Sequence, residues 1–210
     1  MGVKMGRPDL NVVIVAGDGD FLGIGLEHIG PQAARNLDVT AVIMDNQVYG
    51  LTKGQSSPTT GLGAITSSTP YGKPEEALDA LRLYLTVGAS YVASTISTKV
   101  RDLGVMIQDA MNHKGFSVVH VQSPCTTYNN TFEVLKGNPR KGIAPLAWDI
   151  PDDHDETDQM AAFEIASTPG VPVGVLYRDE SRLTFDQRSS EMAGKETAKT
   201  SEELLASYAI

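Results

Sequence analysis

The chain has 210 residues, 41% of them hydrophobic, with 26 acidic side chains against 17 Lys and Arg for a net charge of −9. That length is enough for one full α/β domain, and the acidic excess argues against phosphate-backbone recognition, so nucleic acid is not an expected partner. No apolar run approaches the ~20 residues that a membrane helix needs. A single cysteine excludes an internal disulfide framework, and no signal peptide precedes the first strand, so a reducing cytoplasm is the expected compartment.

Met1 to Asp9 offers only a remnant of a helix before Pro8 stops it. The apolar, β-branched run Leu10–Ala16 then predicts a buried parallel strand, and Val39–Met44 predicts another. Between them Leu22, Leu26, Ile29 and Ala33 recur at helical spacing, giving a strand, helix, strand unit. Its two polar turns, Gly17-Asp18-Gly19-Asp20 and Asp45-Asn46-Gln47-Val48-Tyr49-Gly50, then fall at the carboxyl edge of the sheet, where open α/β sheets bind ligands. Pro31 interrupts the helical pattern at a cost of about 3 kcal/mol in a regular helix, so a kink or break is expected at Gly30-Pro31.

The two turns have specific chemistry. Glycines on either side of Asp18 allow a tight turn and a close approach to phosphate, and the carboxylate is a hard oxygen donor. Asn46 stands 28 residues later at the next strand tip and can add an amide oxygen, and the Val48 carbonyl can add a third. With two phosphates and a water, such a set suits octahedral Mg²⁺. Either turn alone is an ordinary strand-to-helix connection; the pair at neighbouring tips is what points to a site.

Gly17-Asp18-Gly19 followed by Asn46 resembles the thiamine diphosphate signature, with Asp45 standing in place of the first Asn of its NN pair. The continuation Tyr49-Gly50-Leu51-Thr52-Lys53-Gly54-Gln55-Ser56-Ser57-Pro58-Thr59-Thr60 resembles the active-site loop of the β subunits of 2-oxoacid:ferredoxin oxidoreductases. The resemblance implies an α/β, thiamine diphosphate-binding fold, with a mostly parallel sheet and helices on both faces. It also implies that Asp18, Asn46 and Val48 hold Mg²⁺, while Gly17, Gly19, Asp20 and the following helix start cradle the diphosphate. Tyr49, Gly50, Leu51 and Thr52 would line the cofactor, Leu51 packing on the thiazolium or the substrate chain. Family members carry Lys or Gly at the position of Lys53; the Lys type suggests that its ammonium pairs with the far carboxylate of 2-oxoglutarate, whereas pyruvate has nothing to reach it.

The resembled enzymes decarboxylate a 2-oxoacid, pass its electrons to iron–sulfur centres and ferredoxin, and form acyl-coenzyme A. Their α subunit brings the pyrimidine-binding domain, so a separate α subunit is an expected partner here. Their β subunits also have an N-terminal portion with a Cys-x-x-Cys pair and a further Cys for a [4Fe–4S] cluster, which this sequence lacks; it looks like the last two thirds or so of such a subunit.

Farther along, Pro74-Glu75-Glu76 predicts a helix start, with Leu78, Leu81 and Leu85 on one face. Tyr91–Ala93 reads as a short strand, and a helix from about Ser97 is expected to bury Val100, Leu103, Ile107, Ala110 and Met111. A third buried strand, Phe116–Val121, ends in Gln122-Ser123-Pro124-Cys125 and aims Cys125 at the same sheet edge. A lone cysteine is most often a small buried hydrophobe. The resemblance instead implies that Ser-Pro-Cys-x-x-Tyr-Asn supplies the fourth thiolate of a [4Fe–4S] cluster, which one cysteine cannot hold alone. The carboxylates from Asp149 to Asp158 around His154 read as a solvated helix entry. Val171–Tyr177 is a final strand, expected at an edge because of Pro172. Residues 1–185 make one domain and 186–210 a polar tail, with a helical pattern near Ser201 to Tyr208.

Three rival readings stay open on these residues. They are a non-oxidative 2-oxoacid decarboxylase subunit with the same cofactor, a non-catalytic assembly or regulatory remnant, and a flavin- or nicotinamide-binding sheet. The last lacks a GxGxxG at its first turn.

Overall fold

The computed structural model describes residues 1–194 and 199–208. A six-stranded sheet runs in the order β1-β2-β6-β5-β8-β7, from β1 (Val13–Gly17), β2 (Val39–Asp45), β5 (Tyr91–Ile96), β6 (Phe116–Gln122), β7 (Ala147–Asp149) and β8 (Val171–Arg178). All neighbours pair in parallel except β5 with β8. A small antiparallel hairpin, β3 (Val48–Tyr49) with β4 (Gln55–Ser56), stands apart in the long loop after β2. The single-turn α1 (Gly2–Gly6) precedes β1, and its buried Lys4 anchors it by pairing with Asp38 at 2.7 Å.

Alternation along the strands separates two apolar layers. Ala41, Ile43, Val92 and Val118 pack on one face with Ile29 and Ala33 of α2 (Leu26–Arg35), Tyr84 and Leu85 of α3 (Ala80–Thr86) and Ala162 of α6 (Gln159–Ser167). Val42, Ala93, Val119 and Val121 pack on the other with Met106 and Ala110 of α4 (Val100–Asn112). The mostly parallel sheet with helices on both faces is therefore as the sequence predicts. Among the described residues no helix is long and apolar enough to cross a membrane.

Several local expectations need correction. β1 is not buried: among the described residues it is an edge strand flanked by β2 alone, and Val15 is 69% exposed. Pro31 lies inside a continuous α2. The ladder bond it removes would end on the Glu27 carbonyl in the exposed first turn, where water can replace it, and the irregularity falls upstream as a π-helical turn over Asp20–Ile24. α3 begins at Ala80, not Pro74, because the Asp79 carboxylate caps it by accepting Arg82 N–H at 3.1 Å, while Leu78 N–H donates to Pro58 O at 2.9 Å and keeps the preceding segment extended against the loop. Val100 is 71% exposed; Met106 takes its place in the core.

β8 is an inner strand. Its pairing with β5 runs only from Gly174 to Arg178, so Pro172 needs no ladder bond on that side. Asp158 caps α6 through Met160 and Ala161 N–H, as expected of a helix entry. Between β6 and β7 lies the short α5 (Phe132–Lys136). Residue 186 falls inside α7 (Phe185–Ala193), whose cap Thr184 is buried and whose Arg188 guanidinium donates to Arg35 O, so the segment after 185 starts docked on the domain. α8 (Ser201–Ala206) lies in the remaining tail.

Candidate active site at three strand tips

Because β1, β2 and β6 are neighbours with Gly17 opposite Met44 and Asp45 opposite Gln122, their carboxyl ends bring Asp18, Asn46 and the Cys125 loop to one edge. Asp18 follows β1 directly and is 1% exposed. Its Oδ1 accepts the main-chain N–H of Asn46 at 3.3 Å and its Oδ2 accepts from Thr59 Oγ1 at 2.8 Å. The Asn46 side-chain Oδ1 accepts Val48 N–H at 3.0 Å in an Asx turn, and Gln47 between them takes a left-handed φ of 61°. Each of these oxygens keeps a second lone pair.

Sequence reasoning misses the residues behind this edge. Asp45, 2% exposed, accepts Gln47 N–H at 2.9 Å on Oδ1, and His120 Nε2 at 3.0 Å and Gln122 Nε2 at 2.9 Å on Oδ2. His120 Nδ1 lies 3.2 Å from Tyr84 Oη. The alternation of β6 is the available signal, since His120 and Gln122 share a face of that strand with Val118. A cavity of about 330 Å³ adjoins the network, and the buried Ser94 Oγ on its wall has no hydrogen-bond partner among the described residues.

The electrostatics of the two carboxylates diverge. Burial, then the charge of Asp45, pushes Asp18 above the ordinary carboxylate range, against the opposing pull of its hydrogen bonds. Burial pushes Asp45 up as well, but the hydrogen bond and attraction of His120, with the Gln47 N–H, outweigh it and leave Asp45 below that range. An acid whose ionisation is opposed by burial and a neighbouring charge is one that a cation would stabilise as the carboxylate, so the donor set fits a hard divalent ion.

The glycines fit close packing at the same turn. A Cβ on Gly19 would fall 2.2 Å from Tyr49 Cε1, so the tyrosine ring packs where any side chain at Gly19 would stand, and its hydroxyl donates to Gly19 O at 3.2 Å. Asp20 opens the π-helical turn, whose first N–H groups have no intrahelical acceptor. Leu51, Thr52 and Lys53 form the exposed tip of the β3–β4 hairpin; Leu51 is 99% exposed and Lys53 adopts a left-handed φ of 73°. Gly50 and Gly54 flank that tip. A Cβ on Gly50 would stand 3.8 Å from Cys125 Sγ, and one on Gly54 2.7 Å from Tyr128 Cδ1, so the hairpin rests on the Cys125 loop.

Asn129 Nδ2 ties that loop to β2 by donating to Asn46 O at 3.0 Å. The N–H of Tyr128, followed by those of Thr127 and Asn129, lowers the Cys125 thiol below its usual range. Among the described residues no three His, Cys, Asp or Glu side chains gather into a metal site.

Comparison with known proteins identifies the family. The family profile "Thiamine pyrophosphate enzyme, C-terminal TPP binding domain" matches residues 1–121, and the profile of the C-terminal part of the pyruvate ferredoxin oxidoreductase beta subunit matches residues 125–194. The chain is 39% identical over 197 residues to subunit beta of 2-oxoacid:ferredoxin oxidoreductase 1 from Aeropyrum pernix, covering 90% of this chain and 62% of that protein. It is 45% identical over 127 residues to 2-oxoglutarate synthase subunit KorB of Archaeoglobus fulgidus, covering 60% of this chain and 48% of that one. The chain thus spans less than two thirds of the length of these curated relatives. Among solved structures it resembles a 2-oxoglutarate:ferredoxin oxidoreductase from Magnetococcus marinus with 2-oxoglutarate, coenzyme A and succinyl-CoA bound. That match has a TM-score of 0.88 and 38% identity, over 100% of this chain and 71% of that one.

Proposed function

The chain belongs to the thiamine pyrophosphate-binding β subunits of 2-oxoacid:ferredoxin oxidoreductases, and we propose that it forms the diphosphate-binding half of a site that oxidatively decarboxylates a 2-oxoacid. The observation that carries this reading is the contact between Asp18 and the Asn46 turn at the adjoining tips of β1 and β2. Asp18, the Asn46 amide and the Val48 carbonyl hold Mg²⁺. The Gly17-Asp18-Gly19-Asp20 turn and the helix start after it receive the diphosphate. Thiamine diphosphate supplies the carbon nucleophile and the electron sink that let the 2-oxoacid lose CO₂.

The hairpin forms the mouth of the site. Leu51 and Thr52 on its exposed tip face incoming substrate, and the Lys53 ammonium pairs with the distal carboxylate of 2-oxoglutarate, which favours that acid over pyruvate. The bound 2-oxoglutarate and coenzyme A of the Magnetococcus enzyme support this substrate and acyl acceptor. A separate α subunit brings the pyrimidine-binding domain, and ferredoxin takes the electrons. Cys125 is one ligand of a [4Fe–4S] cluster whose other three thiolates come from outside this sequence.

The test is reconstitution with the α subunit, followed by 2-oxoacid- and coenzyme A-dependent reduction of a viologen dye. Decarboxylation without dye reduction would favour the non-oxidative rival, and a complex that neither binds thiamine diphosphate nor turns over would favour the non-catalytic one.

A further inference from the structure

Behind the strand tips a chain of hydrogen bonds runs from the core to the edge: Tyr84 to His120, His120 to Asp45, Asp45 to Thr59, and Thr59 to Asp18. All five residues are buried. Thr59 occupies an unusual position in it, because its single hydroxyl lies 2.8 Å from Asp45 Oδ1 and 2.8 Å from Asp18 Oδ2. A hydroxyl has one proton to donate. Asp45 is already met by Gln47 N–H, His120 and Gln122, which leaves Asp18 as the carboxylate in need of that donor.

The surrounding turn makes one contact with the Thr59 hydroxyl, Ser57 Oγ at 3.3 Å, and is otherwise held without it. The neighbouring Thr60 does that work: Thr60 Oγ1 accepts Ser57 N–H at 2.7 Å and donates to Gln47 O at 2.6 Å, and Thr60 O accepts from the buried Lys73 ammonium at 2.8 Å. Ser57 Oγ can donate to Thr59 Oγ1 or add a further hydrogen bond to Asp18, and either way leaves the Thr59 proton for the carboxylates. With the Asn46 N–H on the opposite oxygen, Thr59 holds the Asp18 carboxyl group from two sides.

We propose that Thr59 is a positioning residue for the cation-binding carboxylate, orienting Asp18 while the donors on Asp45 keep the Thr59 proton directed at it. This rests on the reading of Asp18 as a ligand of the magnesium–diphosphate unit. Partners that orient a metal ligand are typically worth a factor of about 10 to 100 in affinity.

The experiment titrates Mg²⁺ by calorimetry, in the presence of thiamine diphosphate, into the chain assembled with its α subunit. Thr59→Val, close in shape but without the hydroxyl, should weaken Mg²⁺ binding about 10- to 100-fold, and Thr59→Ser, which restores the donor, should return it to within about threefold of wild type. If Thr59→Val does not fold, Thr59→Ala carries the same expectation in less volume. Unchanged or tighter binding in the hydroxyl-free variants, or no recovery with serine, overturns the proposal. A wild-type complex that binds no magnesium–thiamine diphosphate overturns the functional reading beneath it, so the two failures are distinguishable.

Discussion

The carboxylate of Asp18 and the main-chain N–H of Asn46, 28 residues apart in the chain, meet at 3.3 Å. That contact sets the acid of one strand tip beside the turn of the next and within one hydroxyl of a second acid, Asp45. The arrangement favours a bound cation at the expense of the cation-free protein.

Asp18→Asn separates those two effects. Asp18 is raised above the ordinary carboxylate range, by burial first and by Asp45 second. The folded state therefore holds the proton more tightly than the unfolded one, and stability falls as pH rises from the ordinary carboxylate value through the raised one. Asparagine removes that loss: its Oδ1 can still accept from Asn46 N–H, and its amide can donate to Thr59. The variant should melt above wild type at pH 7 without cation, by about 2–4 °C for each kcal/mol relieved, yet lose the further rise that Mg²⁺ and thiamine diphosphate give wild type. Scanning calorimetry with and without the pair checks both halves, and a variant still stabilised by the pair would remove Asp18 from the ligand set.

Asp45 has the opposite sign. Its folded value is depressed against the pull of burial, chiefly through His120, so its contribution is present above the ordinary carboxylate value and lost as pH falls below about 4 through the folded value. His120→Leu leaves a buried carboxylate short of a hydrogen-bond donor and should cost about 1–3 kcal/mol in urea unfolding at pH 7. The same variant should flatten the acid limb of the stability profile. An unaltered acid limb would show that some other group sets it.

The sheet and the two turns are legible in the sequence because their signals are local. Apolar runs such as Val39–Met44 mark strands, and glycines and Asn mark the turns between them. What is not legible depends on partners distant in sequence. That β1 lies at an edge and β8 does not follows from strand order, which Pro172 alone misreports. The helix start moves from Pro74 to Ala80 because Pro58 holds Leu78. His120, Gln122 and Thr59 read as strand and loop residues, since nothing in their own neighbourhood announces a bond to Asp45 75, 77 or 14 residues away.

Cys125 lies in a turn whose N–H groups converge on its sulfur, that of Tyr128 contributing most to the lowered thiol. Its alkylation by iodoacetamide should therefore show a pH–rate inflection below the value of about 8.5 for an unperturbed thiol. The urea-unfolded chain, which lacks the turn, provides the reference. An inflection in the folded protein at or above the reference would mean that the turn does not stabilise the thiolate.

Lys53 holds a left-handed φ of 73° at the tip of the hairpin, a conformation that glycine adopts without penalty. The neighbouring Gly54, at φ 81°, lets the chain reverse where a Cβ would strike Tyr128, so the tip geometry is imposed by the loop beneath and not by Lys53 itself. Lys53→Gly should accordingly stabilise the chain by roughly 0.5–1 kcal/mol, the relief of left-handed strain less the extra freedom of glycine in the unfolded state. If the ammonium pairs with a distal carboxylate, the same change should raise KM for 2-oxoglutarate while leaving that for pyruvate nearly unchanged. Steady-state kinetics of the reconstituted complex on both acids, beside urea unfolding of the variant, test the two expectations separately. Gained stability with unchanged selectivity would mean that the strained lysine is tolerated at the tip without choosing the substrate.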